Sequence, residues 1–196
     1  MPGYLLKLNF ENAYDKVEWE CIVESSKVFV FSQKWVSWIY IWLHSVKVSI
    51  MFNGIQGHEI TCKRGLKHGD PPSPLIFVIV ANDLHHVTSE YREKGFIKGL
   101  GCRDNTNSVI NLHYLDNTLI FGQESLPEAM ILRGVLLCYE KWSGLNVNYN
   151  KSSITFLEEI LLNSFLIYNT FNCSIKKFFI NYLGMSLTCW PKGLSP

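Results

Sequence analysis

Asn111-Leu112-His113-Tyr114-Leu115-Asp116-Asn117-Thr118-Leu119-Ile120-Phe121 decides how the rest of the chain is read. Two apolar-rich runs, Val109 to Leu115 and Thr118 to Phe121, flank an Asp-Asn pair, the composition of a tight hairpin whose tip holds polar groups clear of a sheet. Taken alone it is an ordinary turn, because Asx residues favour turns for local reasons. Two upstream stretches give it more weight: Leu8-Asn9-Phe10-Glu11-Asn12-Ala13-Tyr14-Asp15 and Arg64-Gly65-Leu66-Lys67-His68-Gly69-Asp70-Pro71-Pro72-Ser73-Pro74.

Outward from the hairpin, local patterns set the elements. Leu6, Leu8 and Phe10 alternate with Lys7, Asn9 and Glu11, which predicts a half-buried strand with its polar face toward a site. Asp15-Lys16-Val17-Glu18 has the form of a capping box, so Asp15 is expected to cap a helix running from Lys16 to Phe29. A second helix, Gln33 to His44, carries Trp35, Trp38, Ile39 and Trp42 at helical spacing and is expected to bury them as core. Val46 to Phe52 and His58 to Cys62 then alternate around Asn53-Gly54, a hairpin signal. Gly69 and the prolines make Arg64 to Pro74 a loop, and Ser73 to Lys94 reads as a long helix, with Asp70 or Ser73 as cap and Gly95 as its stop. Leu126 to Ser143 is a further helix ended by Gly144, and Val147 to Phe156 a last strand carrying Lys151.

Strand, helices, two hairpin strands, helix, strand is the order of a ferredoxin-like split βαβ: an α+β fold, with an antiparallel sheet and helices on one face.

Composition narrows the class. The 196 residues, 47% of them hydrophobic, suffice for one sizeable core. Eighteen basic residues against seventeen acidic ones leave a net charge of +1, so any basic surplus is local, as at Lys63, Arg64, Lys67 and His68. Six cysteines without a Cys-x-x-Cys pair argue against a zinc ribbon or a disulfide framework and are expected to be reduced, mostly buried thiols. No signal-peptide pattern opens the chain, and polar residues interrupt the apolar run from Trp35 to Phe52. The expected setting is therefore intracellular, cytoplasm or nucleus, and neither secreted nor in a membrane.

The three quoted stretches, in chain order, resemble motifs A, B and C of the reverse transcriptases of plant LINE-type (non-LTR) retrotransposons. That family reads close to LDFxKAYDKV, RGxRQGDPLSP and YADDT, against LNFENAYDKV, RGLKHGDPPSP and YLDNT here. Trp142-Ser143-Gly144-Leu145-Asn146 with Lys151 resembles motif D, and Tyr182-Leu183-Gly184-Met185 resembles motif E. The resemblance implies a polymerase palm with part of the fingers and no thumb. Residues 1–196 would then be a single domain fragment, with 158–196 as its primer-grip region.

The resemblance also implies residue roles. Asn9, Asp116 and Asn117 stand where the family holds two magnesium ions, and Lys151 stands near the departing pyrophosphate. Tyr14 would lie beneath the nucleotide's sugar, where its bulk excludes a 2′-hydroxyl. Arg64, His68, Gly69 and Pro71 would line the nucleotide and template, and Tyr182, Leu183 and Gly184 the primer grip. The implied partners are an RNA template, a DNA primer and deoxynucleotides.

The departures carry their own expectation. His68 replaces the family's glutamine and Pro72 its leucine. Of three metal-binding aspartates only Asp116 remains. Two-metal phosphoryl transfer needs hard anionic oxygens around ions about 4 Å apart, and asparagine keeps an oxygen but gives up the charge. The expectation is a reverse transcriptase by descent that is catalytically impaired. The alternatives are a non-catalytic nucleic-acid-binding remnant, or a fragment with no function or with a protein partner.

Overall fold

The alternation from Leu5 to Phe10 produces strand β1 (Gly3–Asn9), and the main sheet is built around it. The computed structural model describes residues 3–100, 110–114, 117–157, 162–176, 179–182 and 185–188. By internal contacts the chain divides into two compact units: Met1–Asn9, Val87–Leu136 and Val147–Pro196 form one, and Phe10–His86 with Leu137–Asn146 form the other.

The first unit holds the sheet, in the order β4-β5-β1-β6-β7. Its other strands are β4 (Asn111–Tyr114), β5 (Asn117–Gln123), β6 (Ser153–Phe156) and β7 (Ser174–Ile175). Leu6 of β1 lies opposite Ile120 of β5 on one side and Ile154 of β6 on the other, antiparallel in both cases. Helix α4 (Pro72–Glu93) leads from β1 toward β4, and α5 (Leu126–Ser143) joins β5 to β6, so β1, β4, β5 and β6 have the split βαβ order read from the sequence. One pair departs from the expected antiparallel sheet: β7 joins β6 in parallel, after the unforeseen helix α6 (Leu162–Phe171). A parallel neighbour needs such a crossover. A hairpin of β8 (Phe179–Tyr182) and β9 (Met185–Thr188) ends the described chain.

One face of β1 is buried throughout, with Tyr4, Leu6 and Leu8 at 1% exposure or less. The other face is graded. Leu5 packs with Leu119 and Phe121, and only Lys7 and Asn9 are half-exposed, so its polar part is confined to the strand's last pleats.

In the second unit, the helix expected from Lys16 to Phe29 is two: α1 (Ala13–Lys16) and α2 (Trp19–Val28). Val17, with φ −59° and ψ 129°, breaks it. The cause is tertiary, because the carbonyls of Tyr14 and Val17 accept from the amides of Leu66 (2.6 Å) and Gly65 (2.8 Å) instead of from a helical turn. The capping box does not form, and Asp15 lies inside α1.

Helix α3 (Gln33–His44) is capped by Ser32, whose hydroxyl accepts from the Trp35 amide at 3.3 Å. Its expected core is wrong: Val36 and Leu43 are buried, Trp35, Ile39 and Trp42 are half-buried, and Trp38 is 59% exposed. The apolar residues outnumber the places the fold has for them. Trp38→Ser should therefore change the unfolding free energy by less than about 0.5 kcal/mol, measured by urea titration; a loss of roughly 3 kcal/mol or more would restore the core reading. Strands β2 (Lys47–Phe52) and β3 (Ile55–Thr61) meet at Asn53 (φ 49°) and Gly54 (φ 79°), and every residue of both is exposed. Helix α4 begins at Pro72, one residue before the expected start at Ser73, because prolines suit a first turn that needs no amide donors.

Candidate functional site

Asn9 and Asn117 are direct partners in the β1–β5 ladder, so their side chains share one face at the same end of the sheet. Both are half-buried. The β1–β6 ladder stops at Lys7 opposite Ser153, and a turn takes its place. The Asn9 amide donates to Ser152 Oγ at 3.2 Å, and the Asn9 carbonyl accepts from the Asn148 amide at 2.8 Å. The Lys151 amide donates to the Asn148 carbonyl and to Asn148 Oδ1, both at 3.1 Å. Lys151 is thus exposed in a turn pinned to the end of β1, not on the strand expected from Val147, since the Asn148 side chain closes an Asx turn where a ladder would run. Asp116 lies outside the described residues.

Each asparagine presents one acceptor oxygen and two N–H donors, and no charge. The alternation puts Lys7 on the same face, one pleat back. Among the described residues no group of three His, Cys, Asp or Glu is placed to hold a metal ion. A magnesium pair wants several anionic oxygens, which the Asn9 and Asn117 amides do not supply.

Tyr14, Arg64, His68, Gly69 and Pro71 belong to the second unit. The Tyr14 ring lies between Phe77 (centroids 5.0 Å apart, planes 10° apart) and His68 (5.2 Å, 28°). Burial raises the Tyr14 phenol above its ordinary pKa. His68 Nε2 meets Asp15 Oδ1 at 3.2 Å, which is the use Asp15 finds in place of capping. Arg64 approaches Glu18 at 3.7 Å, Gly69 takes a positive φ of 79°, and Pro71 is exposed just before α4. The His68–Asp15 pair has side chains 72% and 62% exposed, so Asp15→Asn should cost under about 1 kcal/mol of stability in a thermal or urea melt. A cost of several kcal/mol would show that the loop hangs on this pair. Tyr182 ends β8, while Leu183 and Gly184 lie outside the described residues.

Some partners went unread. Phe77 stacks under Tyr14 from α4, a stretch that the sequence marked only as helix. Asn148 and Ser152 hold Asn9, and the Asn-x-Asn-Lys-Ser run was the available turn signal. A cavity of about 440 Å³ in the second unit, lined by Glu18, Trp19, Glu20, Glu24, His44 and Lys63 among others, had no such signal. Cys21 and Ser25 donate to Asp83, but burial pushes the Cys21 thiol up to about 12, which leaves it unreactive. None of the four described cysteines is in a disulfide; Cys21 and Cys173 are buried, Cys62 is half-buried and Cys138 is exposed.

Residues 2–187 match the family model of the reverse transcriptase (RNA-dependent DNA polymerase). An uncharacterized mitochondrial protein of Arabidopsis thaliana is 28% identical over 107 residues, which are 55% of this chain and 87% of that one. Among solved structures, apo telomerase of Candida tropicalis truncated from its C-terminal domain superposes with a TM-score of 0.62 at 14% identity, over 96% of this chain and 34% of that one. Telomerase of the same species with a fragment of telomeric RNA gives 0.61 at 14%, over 80% of this chain and 26% of that one. Candida albicans telomerase, also with a telomeric RNA fragment, gives 0.61 at 10%, over 94% and 29%. At such identities the likeness is one of fold, and the chain spans about a quarter to a third of the telomerase chains.

Proposed function

The chain belongs to the reverse transcriptase (RNA-dependent DNA polymerase) family and has its palm-type α+β fold; from that premise we propose that it is a degenerate domain of a plant LINE-type element that binds nucleic acid without extending a primer. The observation that carries this reading is the Asn9–Asn117 pair at the end of β1 and β5. Reverse transcriptases work with divalent metal ions, and a two-ion transfer gains several kcal/mol from each close carboxylate, even at an effective dielectric near 20. Two amides in place of two carboxylates forfeit that gain. Residues 1–196 are read as one palm-and-fingers fragment, with 158–196 as primer grip.

The surface that would meet a polyanion is basic. Lys63, Arg64 and Lys67 are exposed, and neither lysine is ion-paired among the described residues. In this reading they neutralise template phosphates, and Gly69 and Pro71 follow them in the same loop. RNA template, DNA primer and deoxynucleotides are the partners of the parent activity, and an RNA strand is the partner proposed here. No helix among the described residues is long and apolar enough to cross a membrane, and an intracellular setting is part of the proposal.

The purified chain should stay at background in primer extension with magnesium or manganese, yet bind single-stranded RNA. For about three neutralised phosphates, log K should fall against log salt with a slope of roughly −2. A flat salt response would remove the binding role. A second reading, a fragment that meets a protein instead, is favoured by the exposed β2–β3 hairpin, where Phe52 and Ile55 are each 75% exposed. Failure to bind RNA at low salt would move the balance to it.

A further inference from the structure

We propose that the Phe77–Tyr14–His68 stack is a platform for one unpaired nucleobase of single-stranded nucleic acid, with the outer face of His68 as the surface on which the base lies. The inference rests on the nucleic-acid reading above and names the contact it would use.

The three rings form a graded column. Phe77 is 1% exposed and anchored in α4, Tyr14 is half-buried, and the His68 side chain is 72% exposed. Tyr14 covers one face of the imidazole at 5.2 Å, and Asp15 holds its Nε2 edge at 3.2 Å. The exposed surface of the ring is therefore its other face. A ring fixed by a stack and an edge contact meets a ligand with little ordering left to do.

The loop that carries His68 is held as well. Leu66 donates to the Tyr14 carbonyl at 2.6 Å, Gly65 donates to the Val17 carbonyl at 2.8 Å, and Trp19 Nε1 donates to the Gly65 carbonyl at 2.7 Å. Cations flank the platform in sequence at Lys63, Arg64 and Lys67. Aromatic stacking beside a basic track is how single strands are held without sequence preference, because every base has a π-face. A base pair inside a duplex has no free face to offer, so the platform selects unpaired strands. An imidazole this exposed adds little to packing.

The test uses the full chain and a single-stranded RNA oligonucleotide with one 2-aminopurine, whose fluorescence is quenched by stacking. Wild type should bind and quench. His68→Ala should lose the quench and weaken binding roughly 5- to 150-fold, the span expected for one stacked base. His68→Trp should keep both, and circular dichroism confirms that each variant is folded. Lys67→Ala should lower affinity and flatten the salt slope, while RNA that is bound remains quenched. Equal affinity and quench in His68→Ala would overturn the platform, as would duplex RNA binding as tightly as the single strand. Binding without quench by wild type removes the platform alone; no binding at all removes the nucleic-acid reading with it.

Discussion

Primer extension should return only when Asn9→Asp and Asn117→Asp are made together. The test is a graft of residues 5 to 187 between the flanking fingers and thumb of an active reverse transcriptase, assayed with magnesium or manganese. Asn9→Asp alone leaves the β4–β5 hairpin one charge short, and Asn117→Asp alone leaves β1 without an anion. The two positions are direct partners in the ladder, so their carboxylates would act on the same ions and their effects should not add. Each single variant should stay near background, and the double variant should exceed either by roughly a hundredfold or more, since each 1.36 kcal/mol is tenfold in rate. Glu11 does not take over the role: it is committed to Lys16 at 2.6 Å and lies two residues along the chain from Asn9. Extension by the unrestored graft would sink the claim of inactivity. Silence from the doubly restored graft would move the fault to His68, Pro72 or the fold itself.

What the sequence showed of this fold was what short-range chemistry determines. The alternation of β1, the Asn53-Gly54 turn, and the proline start and glycine stop of α4 are local signals, and each has its element in the structure within a residue or two. The order of elements then gave the ferredoxin-like core, because a split βαβ has few ways to close. The misses have a common cause in contacts between distant segments. Nothing between Lys16 and Phe29 announces a break at Val17, since the groups that make it are the Gly65 and Leu66 amides. Asp15 matched a capping box, but His68, 53 residues away, takes its carboxylate. The tryptophans of α3 had the right spacing for a buried face, and spacing cannot say whether anything will cover it. At the candidate site the resemblance named Asn9 and Asn117, which the structure makes partners in one ladder. The Asn148 turn beneath them and the Phe77 ring under Tyr14 were not.

Gly65→Ala should be the most damaging single change in the loop that carries Arg64 and His68, at about 2 to 4 kcal/mol, with Gly69→Ala as its control. Both glycines have positive φ, 84° and 79°, so both alanines incur the left-handed penalty of roughly 1 to 2 kcal/mol. Only Gly65 adds a collision. A Cβ there would stand 2.8 Å from the Asp15 carbonyl oxygen and 3.1 Å from the Asp15 carbonyl carbon and Cα, whereas a Cβ on Gly69 meets nothing within 4 Å. Those are backbone atoms, which cannot swing aside as a side chain can. Retreat is closed too, because the Gly65 amide is bonded to Val17 and its carbonyl to Trp19 Nε1. The collision adds about 1 to 2 kcal/mol, and for a chain of this size the full loss lowers Tm by roughly 5 to 15 °C. Relief of the strain would push the loop off α1 and carry Asp15 away from His68. Below its melting point, Gly65→Ala should therefore quench 2-aminopurine RNA less than Gly69→Ala does. Equal melting temperatures for the two variants would mean that the loop is not held against Asp15, and the preorganised His68 ring would fall with it.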